Sequence, residues 1–247
     1  MRTPGPDRAS PPRSDPDERR CRRELVRNVF RVLDRIYGGV AWNPKREARD
    51  PLDALIRTIL SQNTTDRNRD RAFDGLKERF STWPEVARAD LRRLTRAIRV
   101  AGLTDQKART IRSFLRWLER ERGDFDLGFV EGLEDEEAVE LLTSHRGIGL
   151  KTAYIVLAFA FNRDMCAVDT HVHRVLRRVG VIGERVGRDR AHLELAELIP
   201  KGRARGFHLD LIDFGRGVCT ARSPSCDICP ITGFCSYYRT AIVVENE

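Results

Sequence analysis

The chain has 247 residues, of which 40% are hydrophobic and 33% are charged, a composition typical of a globular protein with one sizeable core or two smaller ones. The formal net charge of +8 favours a polyanionic partner, nucleic acid first. The longest apolar run, 154–161, is too short to span a bilayer, so we expect no membrane role.

Residues 1–20 are predicted to be a disordered tail. The segment MRTPGPDRASPPRSDPDERR is rich in proline and arginine and poor in large apolar residues. It lacks the apolar core of a secretory signal. We therefore expect an intracellular protein, cytoplasmic and nucleoid-associated if the source is prokaryotic.

From Glu18 onward the apolar residues recur at helical spacing, and no convincing alternating strand pattern or internal repeat is present. The sequence therefore predicts an all-α protein. The predicted helices are 25–36, one that begins at Pro51, 67–80, 89–100, 105–120, 135–144, 150–161, 170–179, 189–199 and 204–218. Lys107, Arg109, Arg112 and Arg116 share one side of helix 105–120, a pattern typical of a solvated face.

The stretch SHRGIGLKTAYIVLAFAF sets Gly147 and Gly149 between two predicted helices. It is not a P-loop, because Leu150 separates Gly149 from Lys151 and a helix precedes it. A dinucleotide fingerprint would need a strand and a third glycine. What remains is a helix–turn–helix whose exposed amides at a helix N-terminus suit a DNA phosphate, with Ile148 turned inward. An ordinary helix corner fits the hairpin equally well.

Two polar residues stand at predicted helix starts. Lys151 lies in the first turn of the apolar helix, where the positive helix end and apolar surroundings favour the neutral amine that a Schiff-base nucleophile requires. Asp169 directly precedes Thr170, which is the position of an N-cap. A capping carboxylate is also able to face a reaction centre.

Cys219, Cys226, Cys229 and Cys235 lie within seventeen residues, close enough in sequence to enclose one metal centre. Zinc ribbons usually have two Cys-x-x-Cys pairs, and this run has one, which favours a [4Fe–4S] cluster and leaves zinc open. The other cysteines, Cys21 and Cys166, are expected to be unligated.

The segments RGIGLKTAYIVL and AVDTHVHRV and the cysteine spacing, in that order, resemble the endonuclease III branch of the helix-hairpin-helix DNA glycosylases, from about Asp50 to Cys235. By this resemblance Lys151 matches the nucleophile that attacks C1′ of a flipped damaged nucleotide, and the Schiff base then allows β-elimination. Asp169 matches the carboxylate that assists it, and the four cysteines match the ligands of a [4Fe–4S] cluster.

The resemblance also implies residues that contact DNA. Asn63 matches a polar wedge and Leu103 matches an apolar wedge, and both fill the space left by the flipped nucleotide. Alternatively, Asn63 is a turn residue at a helix end and Leu103 is a core leucine. The remaining expected contacts are the hairpin residues Gly147, Ile148 and Gly149, the neighbouring Arg146, and Arg222 on the cysteine loop. Further candidates for phosphate contacts are Arg174, Arg177, Arg178, Lys201, Arg203 and Arg205.

The chain departs from the family pattern close to the hairpin. His145 and Arg146 replace the usual Leu-Pro, Tyr154 replaces a common asparagine, and His173 replaces an apolar residue. The expected substrate pocket includes Gln62, Tyr154 and His171.

The resemblance implies two helical domains flanking a DNA-binding cleft: a six-helix barrel at 51–162, and a cluster domain formed by 21–50 and 163–247. The expected function is excision of a damaged base, an oxidised pyrimidine, from double-stranded DNA by a monomer that also cuts the abasic strand. One alternative is a monofunctional uracil or thymine-mismatch glycosylase in which Lys151 forms no adduct. The other is a non-catalytic DNA-binding or redox module.

Overall fold

The computed structural model describes residues 15–38 and 50–243, and in these ranges the fold is all-α, as predicted. The helices are α1 (Pro16–Tyr37), α2 (Pro51–Leu60), α3 (Asp66–Arg79), α4 (Trp83–Arg88), α5 (Leu91–Ala97), α6 (Thr104–Arg122), α7 (Asp135–Thr143), α8 (Leu150–Ala160), α9 (Thr170–Val179), α10 (Arg188–Ala196) and α11 (Ala204–Gly217). Shorter 3₁₀ segments lie at Arg99–Ala101, Gly128–Gly132 and Thr232–Phe234, and a π-helical segment at Tyr238–Val243. None of the helices in the described ranges combines the length and apolarity needed to cross a membrane.

The contacts divide the chain into two units. The hairpin unit is Asn43–Ala167, and the cysteine unit combines Met1–Trp42 with Val168–Glu247. The predicted domains, 51–162 on one side and 21–50 with 163–247 on the other, have their boundaries in the same regions of the chain.

The start of α1 corrects the predicted tail. Asp15 is the N-cap, its Oδ1 accepts the Asp17 amide at 3.1 Å, and Pro16 occupies the first helical position. An aspartate followed by proline is a helix-start signal, so residues 16–20 are helical and that part of the disorder prediction is wrong. Residues 1–14 and the predicted loop at 39–49 lie outside the described residues.

Local capping also explains where the predicted helix 89–100 breaks. The Asp90 side chain accepts the Arg92 amide at 2.6 Å and begins α5, which ends at Ala97 before the 3₁₀ segment Arg99–Ala101. The sequence did not predict α4, a helix of six residues with proline in its first turn.

The hairpin unit encloses a continuous apolar core. Helix α2 packs against α6 and α8, α4 and α5 pack against α6, and α7 packs against α8. Fully buried members include Leu55, Ile59, Leu118 and Leu157. Each such side chain contributes about 1.5–3 kcal/mol of transfer free energy, so this core fixes the positions of α2, α6 and α8.

The prediction of a solvated face on α6 is wrong for Lys107, which is buried; Arg109 and Arg116 are exposed, as predicted, and Arg112 is half-buried. Lys107 is 1% exposed, Arg112 donates to the Ala89 carbonyl at 3.4 Å, and Arg116 donates to the Ala87 carbonyl at 2.9 Å. The acceptors of Arg112 and Arg116 lie at the end of α4, whereas Lys107 donates to the carbonyls of Leu60 and Ala101.

In the cysteine unit, α11 packs against α1 and α9. Phe30 of α1 meets Phe207 of α11 edge to face, with ring centroids 5.9 Å apart. Val29, Leu33 and Phe214 are fully buried. This small core supports the start of α9, where Asp169 lies.

Candidate functional site

The two hairpin glycines differ in backbone conformation and in the space available for a side chain. Gly147 has φ +92°, and an added Cβ would lie 2.1 Å from Thr110 Oγ1, so both conformation and packing demand glycine. Gly149 has φ −95°, and no atom lies within 4 Å of an added Cβ. Ile148 is 3% exposed and turned inward, as predicted. No contact with the described residues of the hairpin unit therefore requires glycine at position 149. The open space beside Gly149 would allow a ligand to approach the backbone closely.

The start of α8 is uncapped by any side chain. Gly149 is the N-cap residue and offers no side-chain acceptor to the first-turn amides. Gln62 braces the turn from the end of α2: its Nε2 donates to the Gly147 carbonyl at 3.0 Å and to Thr152 Oγ1 at 3.3 Å. These contacts leave the amides at the positive end of α8 available to an anion.

Lys151 is the second residue of α8 and is half-buried. Its amine makes no hydrogen bond or ion pair with the described residues of the hairpin unit. A half-buried lysine that pairs with no carboxylate among the described residues of its unit has an amine available for a reaction.

Asp169 is the N-cap of α9, as its sequence position predicted. Its Oδ1 accepts the amides of His171 and Val172, both at 2.8 Å. Its Oδ2 is not used by these capping bonds, so one carboxylate oxygen holds the helix while the other is available for a second role.

His192 supports Asp169 through the preceding residue and was not found from the sequence. It is 1% exposed, and its Nε2 accepts the Val168 amide at 2.9 Å. An amide only donates, so Nε2 is unprotonated and Nδ1 carries the hydrogen that reaches the Arg188 carbonyl at 2.8 Å. Burial lowers the pKa of His192 to about 4, which keeps this acceptor neutral.

Both predicted wedge residues have left-handed backbone. Asn63 has φ 50° and Leu103 has φ 47°; among the described non-glycine residues only Asn162 shares this feature. Leu103 is 53% exposed, so the alternative of a core leucine is wrong. An L residue in this region costs roughly 1–2 kcal/mol, and such outliers concentrate at functional sites.

The replacement of Leu-Pro by His145 and Arg146 keeps the local packing. The His145 ring lies 4.8 Å from Phe114 and 4.4 Å from Trp117, centroid to centroid, in edge-to-face contact. Burial lowers the pKa of His145, so a neutral imidazole fills the apolar site. Arg146 is exposed and lines an open cavity on the hairpin unit together with Gln106, Arg109, Thr110, Ser113 and Gly147.

The other expected pocket residues have structural partners. Tyr154 is 8% exposed within the core, and this burial raises the pKa of its hydroxyl. His171 Nδ1 lies 3.2 Å from Arg174 Nη2, and His173 Nε2 lies 2.7 Å from the Val186 carbonyl oxygen. The roles of Tyr154 and His171 in a substrate pocket stay predictions; His173 departs from the family pattern but was not predicted to line the pocket.

The four predicted ligands line one cavity of the cysteine unit, together with the apolar residues Val179, Phe214 and Ile231. None of these four cysteines forms a disulfide bond. Burial, and then the neighbouring thiols, raise the pKa of Cys226, so the site favours thiolates only when a cationic centre compensates them. In the described ranges no three His, Cys, Asp or Glu side chains are arranged to hold a single metal ion. Four cysteines around one cavity supply the four thiolate ligands that a [4Fe–4S] cluster requires.

Two arginines that were expected to contact DNA phosphates instead hold the cysteine loop. Arg174 donates to the carbonyls of Gly215 at 2.7 Å and of Cys219 at 2.9 Å. Arg178 donates to Cys219 Sγ at 3.3 Å and to the Thr220 carbonyl at 2.6 Å. Arg222 is exposed on the same loop, and Arg177, Lys201 and Arg203 are exposed elsewhere in the unit.

Comparison with known proteins places these features in a family. Residues 56–201 match the model of the HhH-GPD superfamily base excision DNA repair proteins, and residues 219–235 match the iron-sulfur binding domain of endonuclease III. The chain is 34% identical to endonuclease III of Thermotoga maritima over 216 residues, covering 87% of this chain and 92% of that protein. It is 30% identical to a thymine/uracil-DNA glycosylase of Methanothermobacter thermautotrophicus over 199 residues, covering 79% of this chain and 86% of that protein.

The fold agrees with a solved structure of a trapped endonuclease III–DNA covalent intermediate. The TM-score is 0.75 at 28% identity, with 88% of this chain and 97% of that chain covered. The predicted iron–sulfur cofactor and DNA as partner are thereby confirmed. The chain belongs to the HhH-GPD superfamily of base excision DNA repair glycosylases, as an endonuclease III-like member with a [4Fe–4S] cluster.

Proposed function

We propose that this glycosylase is bifunctional and removes a damaged base, an oxidised pyrimidine, before cutting the abasic strand. The observation that carries the proposal is Lys151, a half-buried lysine in the first turn of α8 whose amine has no partner among the described residues of its unit. The similar endonuclease III was trapped as a covalent intermediate with DNA, which supports the same chemistry here.

In the proposed reaction the Lys151 nitrogen forms a bond to C1′ while the bond between C1′ and the base breaks. The base leaves with the bonding electron pair and takes up a proton. The attached nitrogen then loses one proton and the ring oxygen gains one as the bond between C1′ and that oxygen breaks, which gives a protonated Schiff base. Loss of a C2′ proton to a base then expels the 3′ phosphate by β-elimination. The free oxygen of Asp169 is proposed to stabilise the positive charge that develops on the sugar.

The DNA-binding elements follow from the same geometry. The first-turn amides of α8 bind a backbone phosphate of the flipped nucleotide, and Gly149 lets that phosphate approach. Asn63 and Leu103, exposed and left-handed, enter the duplex where the nucleotide has left. When bound, the cluster supplies iron–sulfur bonds that fix the loop carrying Arg222.

A trapping experiment tests the Schiff base. Native protein is mixed with a duplex that contains one abasic site and is reduced with borohydride, which fixes the imine as a covalent protein–DNA adduct. Lys151→Gln is expected to abolish the adduct. Lys77→Gln is the matched control, because Lys77 belongs to the same unit and lies over the Trp83 ring, 4.1 Å from its centroid. Absence of a Lys151-dependent adduct refutes the lyase.

The second candidate is a monofunctional thymine or uracil glycosylase, which the similarity to the Methanothermobacter thermautotrophicus enzyme favours. Duplexes that each contain one oxidised pyrimidine, uracil, mismatched thymine or oxidised guanine separate the two candidates. Release of uracil or thymine without strand cutting and without an adduct supports the second candidate. Release of an oxidised pyrimidine with strand cutting supports the first.

Asp169→Asn tests the role of the carboxylate, because asparagine retains the cap and removes the charge. We expect base release to fall by at least about tenfold, the size of one lost charge-assisted contact. Asp90→Asn makes the same change at the cap of α5 and is expected to be neutral. Binding of native protein to the duplexes without base release, and equal binding by Asp169→Asn, supports a non-catalytic DNA-binding module.

A further inference from the structure

Lys107 of α6 is a buried lysine without a carboxylate partner among the described residues. Its side chain is 1% exposed, and its Nζ donates to the carbonyls of Leu60 and Ala101, both at 2.8 Å. No ion pair with a described residue involves it. Removing an ammonium group from water costs several kcal/mol, so two carbonyl oxygens must compensate a large penalty.

Both acceptors are the last residues of helical segments. Leu60 ends α2, and Ala101 ends the 3₁₀ segment Arg99–Ala101. Carbonyls at helix ends lack intrahelical partners and carry the negative end of the helix dipole. The Lys107 amine therefore binds two helix ends that are distant in sequence. Because both carbonyl oxygens contact the same nitrogen, the two helix ends are held close together.

The two anchored ends lead directly into the two wedge residues. The chain reaches Asn63, at φ 50°, three residues after Leu60. It reaches Gly102 and Leu103, at φ 66° and 47°, directly after Ala101. The left-handed conformations at Asn63 and Leu103 persist only where the surrounding structure holds the chain, and the Lys107 hydrogen bonds lie at the start of both loops.

We propose that Lys107 is a positioning residue that holds Asn63 and Leu103 as one preorganised pair for insertion into the DNA duplex. The proposal rests on the proposed function, in which both side chains fill the gap beside the flipped nucleotide. Two separate loops keep a fixed distance from each other only if an interaction links them, and the Lys107 hydrogen bonds provide that link. The link reduces the conformational entropy that the loops lose on binding DNA.

The hairpin unit contains a matched control in Arg163. Its side chain is 11% exposed, and Nη2 donates to the carbonyls of Val130 and Leu133, both at 2.7 Å. Arg163 thus ties down a loop by the same type of contact, but that loop carries no residue of the candidate site. Because Arg163 Nη1 also pairs with Asp135 at 2.7 Å, a change that acts only through stability would affect Arg163→Met at least as strongly as Lys107→Met.

The experiment uses full-length native protein, Lys107→Met and Arg163→Met. The probe is a duplex with a tetrahydrofuran abasic analogue opposite 2-aminopurine, whose fluorescence rises when a side chain enters the duplex and unstacks the base. At saturating protein we expect the signal to take at least about tenfold longer to develop with Lys107→Met than with Arg163→Met. The two charge-assisted hydrogen bonds lost in Lys107→Met hold the loops of Asn63 and Leu103, whereas those lost in Arg163→Met hold a loop outside the candidate site. Borohydride trapping on single-stranded abasic DNA, where no duplex has to be opened, is expected to be unchanged in both variants.

Equal slowing in both variants, or an equal loss on single-stranded and duplex DNA, overturns the positioning role. Failure of the native protein to trap either abasic DNA refutes the lyase instead, while the fluorescence measurement still tests Lys107. If Lys107→Met does not fold, Lys107→Gln keeps two donor hydrogens on a shorter chain. It is expected to slow the fluorescence change selectively, and a rate equal to that of Arg163→Met overturns the proposal.

Discussion

Acidification is predicted to destabilise the protein through His192. The fold buries this imidazole and uses its unprotonated Nε2 as the acceptor for the Val168 amide, one residue before Asp169. Burial is the main cause that lowers its pKa from 6.5 to about 4. Protonation replaces the acceptor with a donor that faces another donor, and it leaves a charge in the core.

The lowered pKa sets the sign and the size of the effect. A base whose pKa is lowered by folding contributes stability above its unfolded pKa of 6.5, and this contribution is lost as the pH falls toward 4. Lowering the pKa of His192 from 6.5 to about 4 corresponds to about 3 kcal/mol of stability. Between about pH 7.5 and pH 5 we expect the free energy of unfolding to fall by about 2 kcal/mol because of this group.

Urea unfolding followed by circular dichroism at both pH values tests this expectation in the cluster-containing protein. His192→Gln keeps an oxygen acceptor that does not titrate in this range. Between about pH 7.5 and pH 5, the free energy of unfolding of this variant is therefore expected to fall by about 2 kcal/mol less than that of native protein. His173→Gln, at a half-buried histidine on α9, is the control and should retain the native pH dependence. An identical pH dependence in native protein and His192→Gln refutes the reasoning.

Four further changes have defined outcomes. Gly147→Ala is expected to lower the free energy of unfolding by more than about 2 kcal/mol, because φ is +92° and the new methyl group meets Thr110; thermal unfolding measures it. Gly149→Ala should leave the melting temperature unchanged and weaken binding to an abasic-site duplex in a fluorescence anisotropy titration, and equal affinity would contradict the close phosphate approach. Arg178→Met removes the donors to Cys219 and Thr220, so bound iron per protein should fall, whereas the exposed Arg177→Met should retain it. Asp210 is buried, its Oδ2 has no hydrogen-bond partner among the described residues, and burial raises its pKa to about 6. Asp210→Asn is therefore expected to stabilise the protein by about 2 kcal/mol at about pH 7.5. This gain should disappear below about pH 4, and urea titrations at both pH values measure it.

The sequence alone determined what depends on neighbours along the chain. Pro51 marked the start of α2, and the cap position of Asp169 with the helix period placed α9 at Thr170–Val179. The spacing of glycines, lysine, aspartate and cysteines identified the hairpin, the two catalytic candidates and the cluster ligands, because each motif is a short run of residue types. These signals are local, and local hydrogen bonds and side-chain periodicity decide them.

Only the tertiary structure decided which polar side chains point into the protein. The period of α6 marked Lys107 as solvated, whereas packing of separate segments encloses it and directs its amine to Leu60 and Ala101. The same holds for His192, whose partner Val168 lies 24 residues earlier. A buried cation or imidazole is stable only where specific backbone groups from distant segments replace water, and no local pattern reports those groups.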